Sequence, residues 1–193
     1  MASPKQRYVL QHALEFEPVG GSGKSIHLIS KGVSELTEEF NPETEEIHYI
    51  GDQNGTTTLK RYAMTVPLTM EYVDDDEVCK FIRSMAMKMS TGSDADVEYI
   101  RFSLLDEKTG TTATTGTTAT TSKSYTAYKY KASISISSMG GAGEDYLGIE
   151  AQINLQGDPT EGTMTVTDGT TKTYSFQAGS TTGGTDTPDG TGT

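Results

Sequence analysis

Residues Thr126 to Val166 read TAYKYKASISISSMGGAGEDYLGIEAQINLQGDPTEGTMTV. Tyr128, Tyr130, Ala132, Ile134 and Ile136 take the even positions of the first half, with Lys129, Lys131, Ser133, Ser135 and Ser137 between them. After a glycine-rich link, Leu147, Ile149, Ala151, Ile153 and Leu155 take the odd positions, against Gly148, Glu150, Gln152, Asn154 and Gln156. Successive side chains of a strand point to opposite faces, so this spacing predicts two long strands, each with one dry and one wet face. A turn is expected at Gly157-Asp158-Pro159-Thr160-Glu161-Gly162-Thr163. The wet faces carry no His, Cys or paired carboxylates, which points to a scaffold whose surfaces are its function.

Working outward, Tyr8, Leu10, His12, Leu14 and Phe16 alternate, and Ile26 and Leu28 mark a short strand after a glycine-rich turn at 18–24. Leu59 to Val73 predicts a third long strand, with Tyr62, Met64, Val66, Leu68, Met70 and Tyr72 on one face. Pro67 sits within it and cannot donate to a ladder, so an edge or a bulge is expected there. The period then changes. Asp74, Asp75 and Asp76 offer an N-cap, and Val78, Ile82, Met85 and Met89 follow at helical spacing, with Phe81 widening the stripe. One helix is expected over about 74–90, stopping before Gly92. In Val97 to Leu105 the apolar phase moves from Val97 and Tyr99 to Ile100, Phe102 and Leu104, which predicts a bulge near Ile100. A last hairpin should pair Thr163 to Thr167 with Thr170 to Phe176 across Asp168-Gly169.

Two stretches stand out as loops. Glu35 to Thr58 contains Glu35, Glu38, Glu39, Glu43, Glu45, Glu46 and Asp52 and no Lys or Arg, so an acidic loop is expected over 35–58. Its apolar residues Phe40, Ile47, Tyr49 and Ile50 have no other reason to sit in so polar a segment, and with Pro67 they are the candidate oligomer-interface residues. Lys108 to Ser122 is Thr/Gly-rich and reads as a mobile loop over 108–122. The organisation expected is an N-terminal arm at 1–5, one β domain over 6–176, and a flexible C-terminal tail at 177–193.

Composition limits the chemistry. The chain has 193 residues, a lean 33% hydrophobic content and 21 glycines, enough length for a core without disulfides. The single Cys79 excludes an intramolecular disulfide and a cysteine metal cluster. No apolar run approaches the ~20 residues of a membrane helix and no basic-then-apolar leader is present, so synthesis in a cytoplasm, away from membranes, is expected. The 27 acidic and 15 basic residues give a net charge of −12. So acidic a chain should not hold DNA through its phosphates; the acidity serves solubility, repulsion of DNA, or both.

The chemical motifs fail one by one. Gly21-Ser22-Gly23-Lys24-Ser25 suggests a phosphate loop, but Pro18 stands where the first glycine is needed and a strand follows. His12, His27 and His48 are scattered, and Asp74-Asp75-Asp76 lacks the spacing of a calcium loop and is explained by helix capping. Cys79 has no base that could activate it. No catalytic, cofactor-binding or metal-ligating residue is therefore nominated, and no enzymatic activity is expected. A β-sandwich adhesin or carbohydrate-binding surface module is the alternative, although it would want exposed Trp platforms and the chain has no Trp.

The order of elements resembles the major tail tube protein of long-tailed, non-contractile bacteriophages. Phe40-Asn41-Pro42-Glu43-Thr44-Glu45-Glu46, Val66-Pro67-Leu68-Thr69-Met70-Glu71-Tyr72 leading into the helix, and Ile153 to Thr163 carry the resemblance, which spans roughly residues 6 to 176. It implies a mainly β fold, a β-sandwich or partly open barrel with one flanking α-helix. It also implies a virion protein assembled in the bacterial host cytoplasm, with self-association into stacked homohexameric rings. The partners implied are tail tip (initiator), tail terminator and tape measure proteins. DNA would pass through the lumen without specific binding.

Overall fold

The computed structural model describes residues 6–48, 50, 55–115, 118–168 and 171–179, and in 109–120 it describes the backbone. A 3₁₀ turn at Arg7–Val9 leads into β1 (Leu10–Phe16), followed by β2 (Ser25–Leu28), β3 (Val33–Leu36), β4 (Pro42–Ile47), β5 (Thr56–Tyr62) and β6 (Thr65–Glu71). Then come α1 (Glu77–Lys88), a second 3₁₀ turn, β7 (Asp96–Thr115), β8 (Thr118–Gly140), β9 (Gly148–Asp168) and β10 (Thr173–Ala178). The result is mainly β, a β-sandwich with one flanking helix, as expected.

Eight strands form one antiparallel sheet in the order β2-β1-β7-β8-β9-β6-β3, with β10 on the far end of β9. The two strands read first in the sequence, β8 and β9, are its centre. Ile134 pairs with Ile153, Ala132 with Leu155 and Ile136 with Ala151, so their dry faces coincide. That face joins Leu14 and Phe16 of β1, Val66, Leu68 and Met70 of β6, and Val97 and Tyr99 of β7 in the main core. The helix covers it with Val78, Cys79, Ile82 and Met85, all buried. Asp76 accepts from the Cys79 backbone N–H at 2.9 Å, the expected cap. The helix stops earlier than expected, at Lys88, because Met89 takes a left-handed conformation (φ 50°) and leaves the buried stripe.

A second core lies on the opposite face. Ala13, Ile100, Phe102, Tyr125, Ala127 and Met164 cluster there, flanked by Ile26, Leu28, Tyr174 and Phe176. This corrects the bulge expected near Ile100. The β7–β8 register runs unbroken from Asp96 to Phe102 and shifts only beyond it, between Phe102 and Glu107 and between Glu107 and Thr109. The apolar phase changes because β7 is buried on both faces, not because its backbone slips.

The Gly157-Asp158-Pro159 stretch likewise corrects the expectation of a turn, since β9 continues through it. Lys129 pairs with Thr160 and Lys131 with Gln156, so three β9 residues bulge opposite Tyr130 alone. Gly157 supplies a positive φ of 67°, and Pro159, which has no N–H to donate, sits where the ladder is open. This bulge divides β9 between the two halves of the sandwich. The first half pairs with β6, from Asn154↔Thr65 to Gly148↔Glu71, and the second with β10, from Gly162↔Ala178 to Thr167↔Thr173.

Other expectations change in detail. The strand expected over Leu59 to Val73 is two strands, broken at Ala63-Met64, where the chain leaves the main sheet. The 35–58 segment is not an irregular loop. It holds the end of β3, all of β4 and the start of β5, and β4 and β5 form a separate two-stranded sheet. The 108–122 segment is likewise a paired extension of β7 and β8, with Thr109↔Ser124 through Thr115↔Thr118 in register. The closing hairpin forms, but Thr167 pairs with Thr173, so its connection exceeds two residues. The arm at 1–5 and the tail from residue 180 lie outside the described residues.

Because the backbone of the β7–β8 extension beyond Thr111↔Ser122 pairs within itself, apart from Thr121↔Asp168, it should be removable. Replacing Thr112–Thr121 by Asn-Gly closes the Thr111↔Ser122 pair with a two-residue turn. The thermal midpoint of the monomer should move by less than about 2 °C. A loss beyond about 5 °C would show that the extension packs on the domain.

Candidate functional surface

The candidate interface residues are distributed over two places. Phe40 is half-exposed at the root of the β4–β5 hairpin, while Ile47 and Ile50 stand exposed at its far end. Tyr49 lies outside the described residues. Pro67 belongs to the main sheet, where it pairs with Gln152 of β9 without a bulge. The ladder with β3 ends one residue before it, at Leu36↔Leu68, and only the Thr37 N–H reaches the Pro67 carbonyl, at 3.3 Å. The missing Pro67 N–H therefore faces the side where β3 has stopped, although β6 itself is not an edge strand.

Every residue of β4 and β5 is exposed. An isolated two-stranded hairpin is marginal in water, and this one is held by cross-strand charges. Arg61 donates to both carboxylate oxygens of Glu43, at 2.7 and 3.0 Å, and Lys60 lies 2.8 Å from Glu45. Besides these charges the hairpin presents Ile47, Leu59 and Tyr62 to solvent. Strands normally bury one face; here both faces are open and both carry apolar side chains.

Beneath the root is a buried polar network that sequence reasoning missed. The Glu38 side chain is 8% exposed and accepts from Arg101 Nη1 at 2.8 Å and from the Tyr99 hydroxyl at 2.9 Å. With its proton on Glu38, the Tyr99 hydroxyl accepts from Nδ1–H of His12. His12 is 3% exposed, and its Nε2 has no hydrogen-bond partner among the described residues. The Arg101 guanidinium also lies over three rings, 5.5 Å from the Tyr130 centroid, 5.7 Å from Tyr128 and 5.9 Å from Phe40. One signal was available: Arg101 has the parity of Val97 and Tyr99, so a cation stands on the dry face and needs an anion there.

On the other face Lys129 donates to Glu15 at 2.8 Å and also reaches Glu98. Burial opposes its charge, yet the two carboxylates hold its pKa above the ordinary lysine range.

Nothing in these arrangements resembles a reaction centre. Among the described residues no three His, Cys, Asp or Glu side chains gather as metal ligands. Cys79 is fully buried, and burial pushes its thiol up to about 11, far from a reactive thiolate. A cleft of about 890 Å³ between the end of α1 and β8 is lined by Met85, Met89, Met139 and serines, and Asp96 is its one ionisable lining residue among those described. No helix of the structure is long and apolar enough to cross a membrane.

Neither a family model nor a curated protein matches the sequence. The solved structures to which this chain is similar include two from particles with six-fold symmetry. One is the tail of an empty GTA particle with C6 symmetry, at 14% identity, covering 91% of this chain and 100% of the other, with a TM-score of 0.44. The other is the six-fold symmetrised baseplate of the anti-feeding prophage, at 11% identity, covering 83% of this chain and 97% of the other, with a TM-score of 0.41.

The buried histidine makes stability pH-dependent. Burial lowers its pKa from 6.5 to about 4. The folded value lies below the unfolded one, so the unfolded chain takes the proton first as pH falls. The contribution of neutral His12 is complete above about pH 6.5 and is lost as pH drops towards 4. Between pH 7.5 and 5 this should cost about 2 kcal/mol of unfolding free energy. In His12→Asn, which keeps an N–H for Tyr99, urea unfolding should lose about 2 kcal/mol less over the same interval. Equal pH slopes for the two proteins would refute the assignment.

Proposed function

We propose that this chain is a structural subunit of a phage-type tail tube and that its activity is self-assembly. The observation that carries this reading is the β4–β5 hairpin, which exposes Ile47, Ile50, Leu59 and Tyr62 with neither face covered. A second copy of the chain is the partner. Because the hairpin and the surface it meets differ, the contact is heterologous: it closes into a ring or propagates along an axis. Six copies per ring and rings stacked into a tube follow the resemblance of the sequence.

Covering about 200 Å² of apolar hairpin surface would contribute about 5 kcal/mol per contact at about 25 cal/mol per Å². That is comparable to the lower estimates, about 4 kcal/mol, for the freedom lost on association. Single contacts are then weak and a closed, stacked assembly is strong. A net charge of −12 lets DNA pass the lumen without specific binding. The tube would sit in the virion after assembly in the host cytoplasm, meeting an initiator at the tail tip, a terminator and a tape measure protein. It would act without catalysis, in a tail of the long, non-contractile type that the sequence resembles.

Electron microscopy of the concentrated protein should show rings or tubes. The double variant Ile47→Ser, Ile50→Ser should remain a folded monomer by circular dichroism and light scattering and require at least about tenfold more protein to polymerise, as removal of about 1.4 kcal/mol per contact implies. Tubes forming at the wild-type concentration would exclude the hairpin as the contact. Monomers under every condition, with an initiator present, would exclude the tube itself.

A further inference from the structure

The hairpin touches the rest of the molecule almost entirely through its root, and the root is unusually well fastened. Asn41 has a positive φ of 41°, which turns the chain out of the sheet into β4. Its side-chain amide donates to the Ala63 carbonyl at 3.2 Å and to the Thr65 hydroxyl at 3.1 Å, tying together the two chain segments where they leave the sheet. Glu39 and Thr65 form a bridge beside it, and Thr65 donates to the Glu39 carboxylate at 3.2 Å.

These bonds hold the two hairpin strands to each other and to β6. They do not by themselves set the angle between the hairpin and the body, because Ala63 and Met64 interrupt the strand and allow a bend there. The contact that spans the bend is aromatic. Phe40 meets the Tyr62 ring of β5 edge-on, centroids 6.3 Å apart, and the Arg101 guanidinium on β7 lies 5.9 Å from its ring centroid. Arg101 is immobilised in turn by the buried Glu38 carboxylate and by Tyr128 and Tyr130. A cleft of about 560 Å³ opens between this root and the Gly157-Asp158-Pro159 bulge, giving the hairpin room to swing.

We propose that Glu38, Arg101 and Phe40 form a lock that sets the angle of the β4–β5 hairpin on the body, making them positioning residues for the exposed arm. Glu38 and Phe40 stand within four residues of the start of β4, while Arg101 belongs to the core sheet. Glu38 lies on the body side of the bend, beside the Glu39↔Thr65 bridge, so the ion pair holds Arg101 in place as the seat for Phe40, and Phe40 passes the constraint across the bend to Tyr62. If the hairpin is the assembly contact, as proposed above, the lock fixes the direction in which each subunit reaches its neighbour.

The test uses monomeric protein at low concentration, so its outcome does not depend on tube formation. Spin labels are placed at Thr58→Cys on β5 and Lys88→Cys at the end of α1, both exposed; the buried Cys79 stays unlabelled. Double electron–electron resonance should give a single narrow distance distribution in the otherwise wild-type protein. Glu38→Gln, Arg101→Lys and Phe40→Leu should each broaden it about twofold or more. Arg61→Lys, which disturbs only the ion pair within the hairpin, should leave it narrow. Phe40 is half-exposed, so Phe40→Leu keeps the test decisive even where Glu38→Gln fails to fold. Narrow distributions in the folded variants would overturn the lock, and so would a broad distribution in the parent. Loss of tubes with unchanged distances would likewise count against the lock while leaving the assembly reading intact.

Discussion

The antiparallel pairing of β8 with β9 is the constraint on which the remaining elements depend. Both strands exceed 20 residues, far longer than a typical strand, and they pair along almost their whole length. A ladder of that length cannot serve one flat layer, because sheets twist and coil. The β8–β9 register shifts between Ile136 and Ser138 and, by more residues, at the Gly157-Asp158-Pro159 bulge opposite Tyr130. Before the bulge, β9 gives its other edge to β6, and the helix covers the shared dry face. After it, β9 gives that edge to β10, and a second core forms on the opposite face. β1 and β7 contribute side chains to both cores, which is why their apolar residues occupy both parities.

The buried polar network stands where this two-sided arrangement meets the hairpin root. Burying a carboxylate and a guanidinium in the same place is costly unless each is paired, and here the geometry satisfies both. Glu38 takes Arg101 and Tyr99, while Arg101 takes Glu38 and three ring faces. The remaining cost falls on His12, whose Nε2 has no partner among the described residues and whose charged form burial disfavours. An apolar cluster would have filled the space, but it would have specified no unique partner for Arg101. The network joins one loop residue to β1 and β7, so it fixes where the chain leaves the sheet.

The surface is divided between covered and open faces. The core faces are covered by the helix and by the curl of the sheet, whereas the β4–β5 hairpin is covered on neither face. Its charges are satisfied within the hairpin, by Arg61 with Glu43 and Lys60 with Glu45. Among what remains open are Ile47, Leu59 and Tyr62, whose apolar area can be covered without breaking those two ion pairs.

The sequence by itself determined the elements whose period is unambiguous. The alternation of Tyr128 to Ile136 and of Leu147 to Leu155, the capped helix after Asp76 and the last hairpin were legible because each depends on side-chain spacing within one segment. It also showed that Phe40, Ile47 and Ile50 were misplaced in so acidic a stretch. Only the tertiary structure decided the rest. Which face of β7 is buried depends on what covers it, and both faces are covered, so a change of phase imitates a bulge. Whether Gly157-Asp158-Pro159 turns or bulges depends on whether β8 continues alongside. The acidic and Thr/Gly segments have little apolar periodicity, and their strands exist through backbone pairing to which composition is blind. Glu38 and Arg101 are 63 residues apart; their pairing, and with it the setting of the hairpin root, arises only when β7 and the end of β3 are brought together by the fold.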